Sequence, residues 1–206
     1  MTTLDPISQK IGTDKSNIRV IKNFIDENDR KVLLQYCKDK TRHTEGTIFY
    51  EIEPGELIKL QIKYAEKMYE NIGTYYKDIC PIRTENITKA ANILVHPKGS
   101  FMLPHVDIVG YVQKEGEMVP DYLDKWSGHL SSVIYLNEDY EGGELYFPDH
   151  DLYIKPESGD YITWPGNRWY QHGVKEVISG VRYTLSTWIR FEEAYGNEVF
   201  SHGTEK

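Results

Sequence analysis

Eight short strand-like runs crowd the second half of this chain, and few folds accommodate that many. They cover 87–95, 101–106, 129–136, 144–147, 151–155, 159–164, 172–177 and 181–190, each bounded by Gly, Pro, Asn or Asp. The last run alternates cleanly. Arg182, Thr184, Ser186 and Trp188 fall on one face, and Tyr183, Leu185, Thr187 and Ile189 on the other. Eight runs of this kind match a double-stranded β-helix (jelly roll), whose two sheets leave a mouth for a ligand. Several of the 16 Tyr, 6 Phe and 4 Trp lie within these runs, where a sheet core needs them.

The first third is helical instead. Asp26 or Asn28 can cap a helix carrying Val32, Leu33, Tyr36 and Cys37 at helical spacing. Pro54-Gly55-Glu56 opens a longer pattern through Leu57, Leu60, Ile62, Tyr64, Met68 and Ile72, which Gly73 is expected to bend or end. The fold class expected is therefore mainly β (α+β): one domain over 1–206, with helical support over 17–85 and the jelly-roll core over 86–191. Residues 108–127 read as one long loop with Gly110, Gly116 and Pro120, beginning directly after Asp107. A loop this long inside a compact domain is expected to cover a functional site.

The net charge of −8 argues against a phosphate-binding surface, so no nucleic-acid partner is expected. No basic start leads into an apolar run at the N-terminus, and no apolar stretch nears membrane-spanning length; a cytoplasmic protein without a membrane partner is expected. Cys37 and Cys80 are expected to be free, buried thiols. Oligomeric state is not legible.

His105-Val106-Asp107 places an imidazole and a carboxylate on one face of an extended segment. Alone, such a tripeptide arises by chance in roughly four of ten chains of this composition. A second imidazole from His172 would complete two His and one carboxylate, the set that holds non-haem Fe(II) and leaves positions open. The same set admits manganese. Arg182, with Thr184 and Ser186 on its own face, is suited to the far end of a dicarboxylate, because a guanidinium forks onto a carboxylate. His43, His129, His150 and His202 form no competing set, although His43-Thr44-Glu45 is a weak second candidate.

His105-x-Asp107, Ser132 to Asn137, Glu141 to Phe147, His172 and Arg182 to Trp188 together resemble the Fe(II)/2-oxoglutarate-dependent dioxygenases, in particular the prolyl 4-hydroxylase-like subgroup. Ile18 to Ile25, followed by a helix, is similar to that subgroup's N-terminal segment. The resemblance spans residues 18–191. It implies Fe(II) on His105, Asp107 and His172, with 2-oxoglutarate and O2 as co-substrates and ascorbate as a candidate reductant. It further implies co-substrate contacts from Arg182, Tyr135, His96, Thr184, Ser186 and Trp188. The reaction implied is hydroxylation of a C–H bond with release of succinate and carbon dioxide.

Two positions depart from the subgroup. His96 stands where members often carry a Tyr, and an imidazole there is expected to change state near neutral pH. Arg182 stands where many collagen-type enzymes carry Lys. The expected substrate is a peptide or protein segment with proline as the leading target, packed by Tyr111, Tyr122 and Trp126. The alternatives are a free amino acid or other small molecule, a non-catalytic cupin-like metal-binding module, and a zinc hydrolase, which would leave Arg182 without a role.

Overall fold

The structure is a computed structural model that describes residues 12–41, 50–52, 55–76, 91–107, 110–114, 117–121 and 129–190. Among these described residues, two α-helices and fourteen strands follow in chain order. Strand β1 (Arg19–Ile21) precedes α1 (Glu27–Thr41), then come β2 (Tyr50–Ile52) and α2 (Ile58–Tyr76). The β region comprises β3 (Asn92–Pro97), β4 (Met102–His105), β5 (Gly110–Lys114), β6 (Glu117–Asp121) and β7 (His129–Tyr135). It continues with β8 (Glu141–Gly142), β9 (Leu145–Phe147), β10 (Leu152–Ile154), β11 (Tyr161–Pro165), β12 (His172–Val174), β13 (Val177–Ser179) and β14 (Val181–Arg190).

The fold is the jelly roll. A six-stranded sheet in the order β1-β11-β7-β14-β3-β2 faces a four-stranded sheet in the order β10-β9-β12-β4, and every pairing is antiparallel. Strand alternation sorts the larger sheet's side chains into two sets. On the outer face Ile93, Val95, Ile134, Tyr161, Tyr183 and Leu185 pack against Leu33 and Cys37 of α1 and Tyr64, Ala65 and Met68 of α2. Helical spacing delivers those five helix residues to one stripe, so both helices back the sheet and keep its inner face rigid. The inner face carries Tyr135, Ile162 and Trp164, which pack with Leu145 and Phe147 of the smaller sheet.

Asp26 provides the α1 cap, its Oδ1 accepting from the backbone N–H of Asn28 at 2.9 Å and of Asp29 at 3.2 Å. Arg30 Nη1 donates to the Leu136 carbonyl at 2.5 Å and ties α1 to the end of β7. Val32, expected on the apolar stripe, is instead 48% exposed. Gly73 neither ends nor interrupts α2, which runs on to Tyr76.

The β boundaries differ from the sequence reading at definite points. The expected 172–177 strand divides into β12 and β13, because Lys175 N–H donates to Glu144 O at 2.9 Å and the Glu176 carbonyl accepts from Gly143 N–H at 3.0 Å. These bonds carry the chain from one sheet to a separate β8–β13 pair. Within 108–127 the expected loop contains a hairpin in which β5 pairs with β6, Tyr111 opposite Pro120. Strands β1, β2 and β8 were not legible. Residues 87–90, Cys80, His43 to Glu45, Tyr122, Trp126 and His202 lie outside the described residues. No helix among the described residues is long and apolar enough to cross a membrane.

Candidate active site

Strands β4 and β12 are neighbours in the smaller sheet, and their register sets His105 directly opposite His172. The two imidazole centroids are 4.5 Å apart. Asp107 lies two residues beyond His105. Its Oδ1 is 3.6 Å from His105 Nε2 and its Oδ2 is 3.5 Å from His172 Nε2. One ligand atom from each of the three lies within 4.8 Å of the others, the only such grouping among the described residues. Gly173 makes the strand spacing possible, since a Cβ there would stand 2.6 Å from the Met102 carbonyl and 2.6 Å from the Tyr146 ring.

The outer nitrogens of both imidazoles are engaged. His105 Nδ1 is 2.8 Å from the Leu103 carbonyl, which fixes the proton there and turns the Nε2 lone pair toward Asp107 and His172. His172 Nδ1 lies 3.2 Å from the Tyr170 carbonyl and 3.1 Å from the Trp164 indole N–H, and donation from Nδ1 to Tyr170 is the tautomer that frees Nε2 for a metal. Burial alone would raise the Asp107 pKa. The His172 and His105 imidazoles and the Ser131 hydroxyl outweigh it and hold the carboxyl well below its usual range. Burial also acts to lower the His105 pKa, but the Asp107 carboxylate and Leu103 carbonyl prevail and raise it. An anionic carboxylate faced by the Nε2 atoms of two imidazoles is a fitting donor set for a divalent ion.

The triad opens into a cavity between the sheets. Its walls include Leu94, Val133, Leu145, Trp164 and Val174; its polar members beyond the triad are His96, Ser131, Ser132, Arg182, Thr184 and Ser186. Arg182 is 2% exposed and has no carboxylate partner among the described residues. Its Nη1 donates to His96 Nδ1 at 3.0 Å and its Nη2 to the Tyr135 hydroxyl at 2.9 Å, while Nε has no partner. The hydroxyls of Thr184 and Ser186 are likewise buried and unpartnered. A buried cation with an idle N–H and two idle hydroxyls beside it is a site made for an anion.

His96 corrects the sequence reading. Because Arg182 can only donate, His96 Nδ1 must accept, and the proton resides on Nε2, 3.4 Å from Met102 Sδ. Burial first, and the Arg182 charge second, push its pKa well below 6.5, so it does not change state near neutral pH. Burial likewise raises the Tyr135 pKa, against the Arg182 charge, and keeps the phenol protonated.

Trp188 holds the inner-face position of β14 opposite Ser131, although its side chain lies outside the described set. Three contributors were not recognised from sequence. Ser131 donates its hydroxyl to Asp107 Oδ2. Asn137 donates Nδ2 to the Val181 carbonyl at 2.8 Å and accepts at Oδ1 from Tyr183 N–H at 2.8 Å, bracketing the Arg182 backbone. Gly143, at φ +65°, leaves room for the Arg182 stem, whose Cδ would lie 3.3 Å from an added Cβ. The Ser131-Ser132 pair inside an apolar strand was the available signal, since buried hydroxyls require partners.

Residues 91–190 match the family model of the 2OG-Fe(II) oxygenase superfamily. Over 70 residues the chain is 34% identical to prolyl 3-hydroxylase 2 of Homo sapiens, a stretch covering 32% of this chain and 10% of the relative. Prolyl 3-hydroxylase 1 of Gallus gallus is 31% identical over 67 residues, 30% of this chain and 9% of the relative. The chain thus spans about a tenth of the length of these relatives.

Among solved structures, a prolyl hydroxylase from Trichoplax adhaerens, in complex with a hypoxia inducible factor oxygen degradation domain peptide fragment, superposes with a TM-score of 0.64. Its identity is 16%, over 91% of this chain and 89% of that one. A Pseudomonas putida prolyl-4-hydroxylase gives 0.60 at 17% identity, over 90% and 98% of the two chains. The viral collagen prolyl hydroxylase of Paramecium Bursaria Chlorella virus-1, in its 2OG complex, gives 0.56 at 19%, over 86% and 97%. Residues 91–190 of this chain thus carry a match to the 2OG-Fe(II) oxygenase superfamily, on a fold shared with the prolyl hydroxylases.

Proposed function

We propose that the chain is an Fe(II)- and 2-oxoglutarate-dependent hydroxylase whose substrate is a residue in a peptide or protein, with proline the leading target. One observation carries the co-substrate assignment: Arg182 is buried without a carboxylate partner among the described residues, in the cavity that the His105–Asp107–His172 triad also lines. A dicarboxylate would supply the missing anion there, in the cavity that the triad shares.

His105, Asp107 and His172 would hold the iron. When bound, Fe(II) supplies the redox chemistry that couples decarboxylation of 2-oxoglutarate to oxygenation of a C–H bond. Arg182 orients the far carboxylate, Thr184 and Ser186 add hydroxyl donors, and His96 offers its Nε2 proton. Tyr135 accepts from Arg182 and fixes the plane of the guanidinium. Leu94, Val133, Leu145 and Val174 line the cavity with apolar surface, which limits water and strengthens each of these interactions. A non-catalytic metal-binding module would have no use for the idle donors around Arg182.

Support for a peptidyl substrate comes from the proteins this chain is similar to, which are named for prolyl hydroxylation, one of them solved with a peptide fragment. The hairpin of β5 and β6 starts three residues after Asp107 and is the proposed cover over that substrate. The test is mass spectrometry of proline-containing peptides incubated with protein, Fe(II), 2-oxoglutarate and ascorbate. One added oxygen on proline is the expected result. Oxygen gained only by free amino acids or metabolites would overturn the peptide assignment while leaving the oxygenase intact.

A further inference from the structure

Asp107 follows the smaller sheet, yet the hydroxyl that meets it comes from the centre of the larger one. Ser131 lies on β7, 1% exposed, and donates Oγ–H to Asp107 Oδ2. In register it sits between Trp164 of β11 and Trp188 of β14, on the inner face of the sheet. Trp164 also contacts His172. One row of the larger sheet thus supports two of the three candidate ligands.

A lone buried hydroxyl gives up its hydration uncompensated unless it finds a partner. Its partner, a buried carboxylate, in turn needs donors. Besides the two imidazoles, Ser131 supplies the one donor to the Asp107 side chain among the described residues. The backbone of Ser131 is pinned as well, its carbonyl accepting from Thr163 Oγ1 at 2.8 Å. The hydroxyl therefore acts from a fixed point rather than from a loop.

We propose that Ser131 is the positioning residue for Asp107, holding its carboxylate at the depth and rotation that a metal on the two imidazoles requires. The proposal rests on the metal-site reading given above. Because Ser131 touches a ligand rather than the reacting atoms, its effect belongs to metal affinity and ligand geometry.

The experiment titrates the intact chain with Mn(II) by calorimetry and records the visible spectrum of the Co(II) form, for wild type, Ser131→Ala, Ser131→Thr and His172→Ala. Loss of such an outer contact typically weakens a metal site 10–100-fold. Ser131→Ala should show that loss and an altered Co(II) spectrum with its thermal unfolding still cooperative, and Ser131→Thr, which keeps the hydroxyl, should regain wild-type affinity. Equal Mn(II) affinity in wild type and Ser131→Ala would overturn the proposal with the metal site standing, as would a Thr variant as weak as Ala. Absence of Mn(II) binding in wild type would instead overturn the metal site itself. Should Ser131→Ala not fold, Ser131→Cys, nearly equal in size and a weaker donor, must bind Mn(II) more weakly than Ser131→Thr; equal binding would again overturn the proposal.

Discussion

Burying a guanidinium costs several kcal/mol unless an anion accompanies it, and Arg182 has none among the described residues. Arg182→Ala should therefore weaken 2-oxoglutarate binding by about 2–5 kcal/mol, the usual cost of removing one partner of a buried pair, with Mn(II) affinity unchanged. Calorimetric titration of both ligands checks this, and an unchanged 2-oxoglutarate affinity would remove the role. His96 yields a pH prediction. Its folded pKa lies below the ordinary 6.5, so the neutral form is favoured in the fold. The stability it contributes is complete above 6.5 and is lost as pH falls toward the folded value, by at most about 1.4 kcal/mol per pH unit. Urea unfolding of wild type and His96→Gln at pH 7 and pH 5 should reveal wild type losing the more stability. Equal losses would mean that His96 titrates normally.

Strands, rather than single residues, decide how much of the site was legible. Alternation along Arg182 to Trp188 is a local property, and so the inward set of Arg182, Thr184 and Ser186 is written in the order of the residues alone. Contacts made across the sheet are not. The Arg182–His96 bond joins residues 86 apart, and Ser131 meets Asp107 across 24. The neutral state of His96 depends on both its burial and that distant partner, and the sequence alone suggested the opposite behaviour. Val174-Lys175-Glu176-Val177 breaks the apolar–polar alternation with two successive charged residues, at the point where two backbone bonds divide the strand. Asn137 reads as an ordinary strand-end residue until its amide is seen clamping β7 to β14 on both sides of Arg182. Asn137→Ala would leave a buried N–H and C=O unpaired, and should destabilise the protein by about 1–3 kcal/mol in denaturant unfolding. No measurable loss would show the clamp to be dispensable. Under α1, burial pushes the Cys37 thiol up to about 12, so it should resist alkylation in the native protein and react only on unfolding. Rapid native labelling would contradict the packing of that helix on the sheet.

The molecule as a whole separates support from chemistry. Two helices close the outer face of the larger sheet, and the space between the sheets is left for ligands. That division was legible from eight short runs and a helical first third, because period and punctuation set the layer arrangement. The spaced His105, Asp107, His172 and Arg182 then located the site within it. What the sequence withheld was the pairing that makes those four converge, notably His105 opposite His172 across β4 and β12. The central claim is that this convergence holds one iron and turns over 2-oxoglutarate. Succinate release from 2-oxoglutarate, followed with added Fe(II) and a proline-containing peptide, tests it most directly in wild type and His172→Ala side by side. Wild type should release succinate in proportion to bound Fe(II), saturating at one ion per chain, and His172→Ala should release none above the protein-free control. Full turnover by His172→Ala would contradict the account.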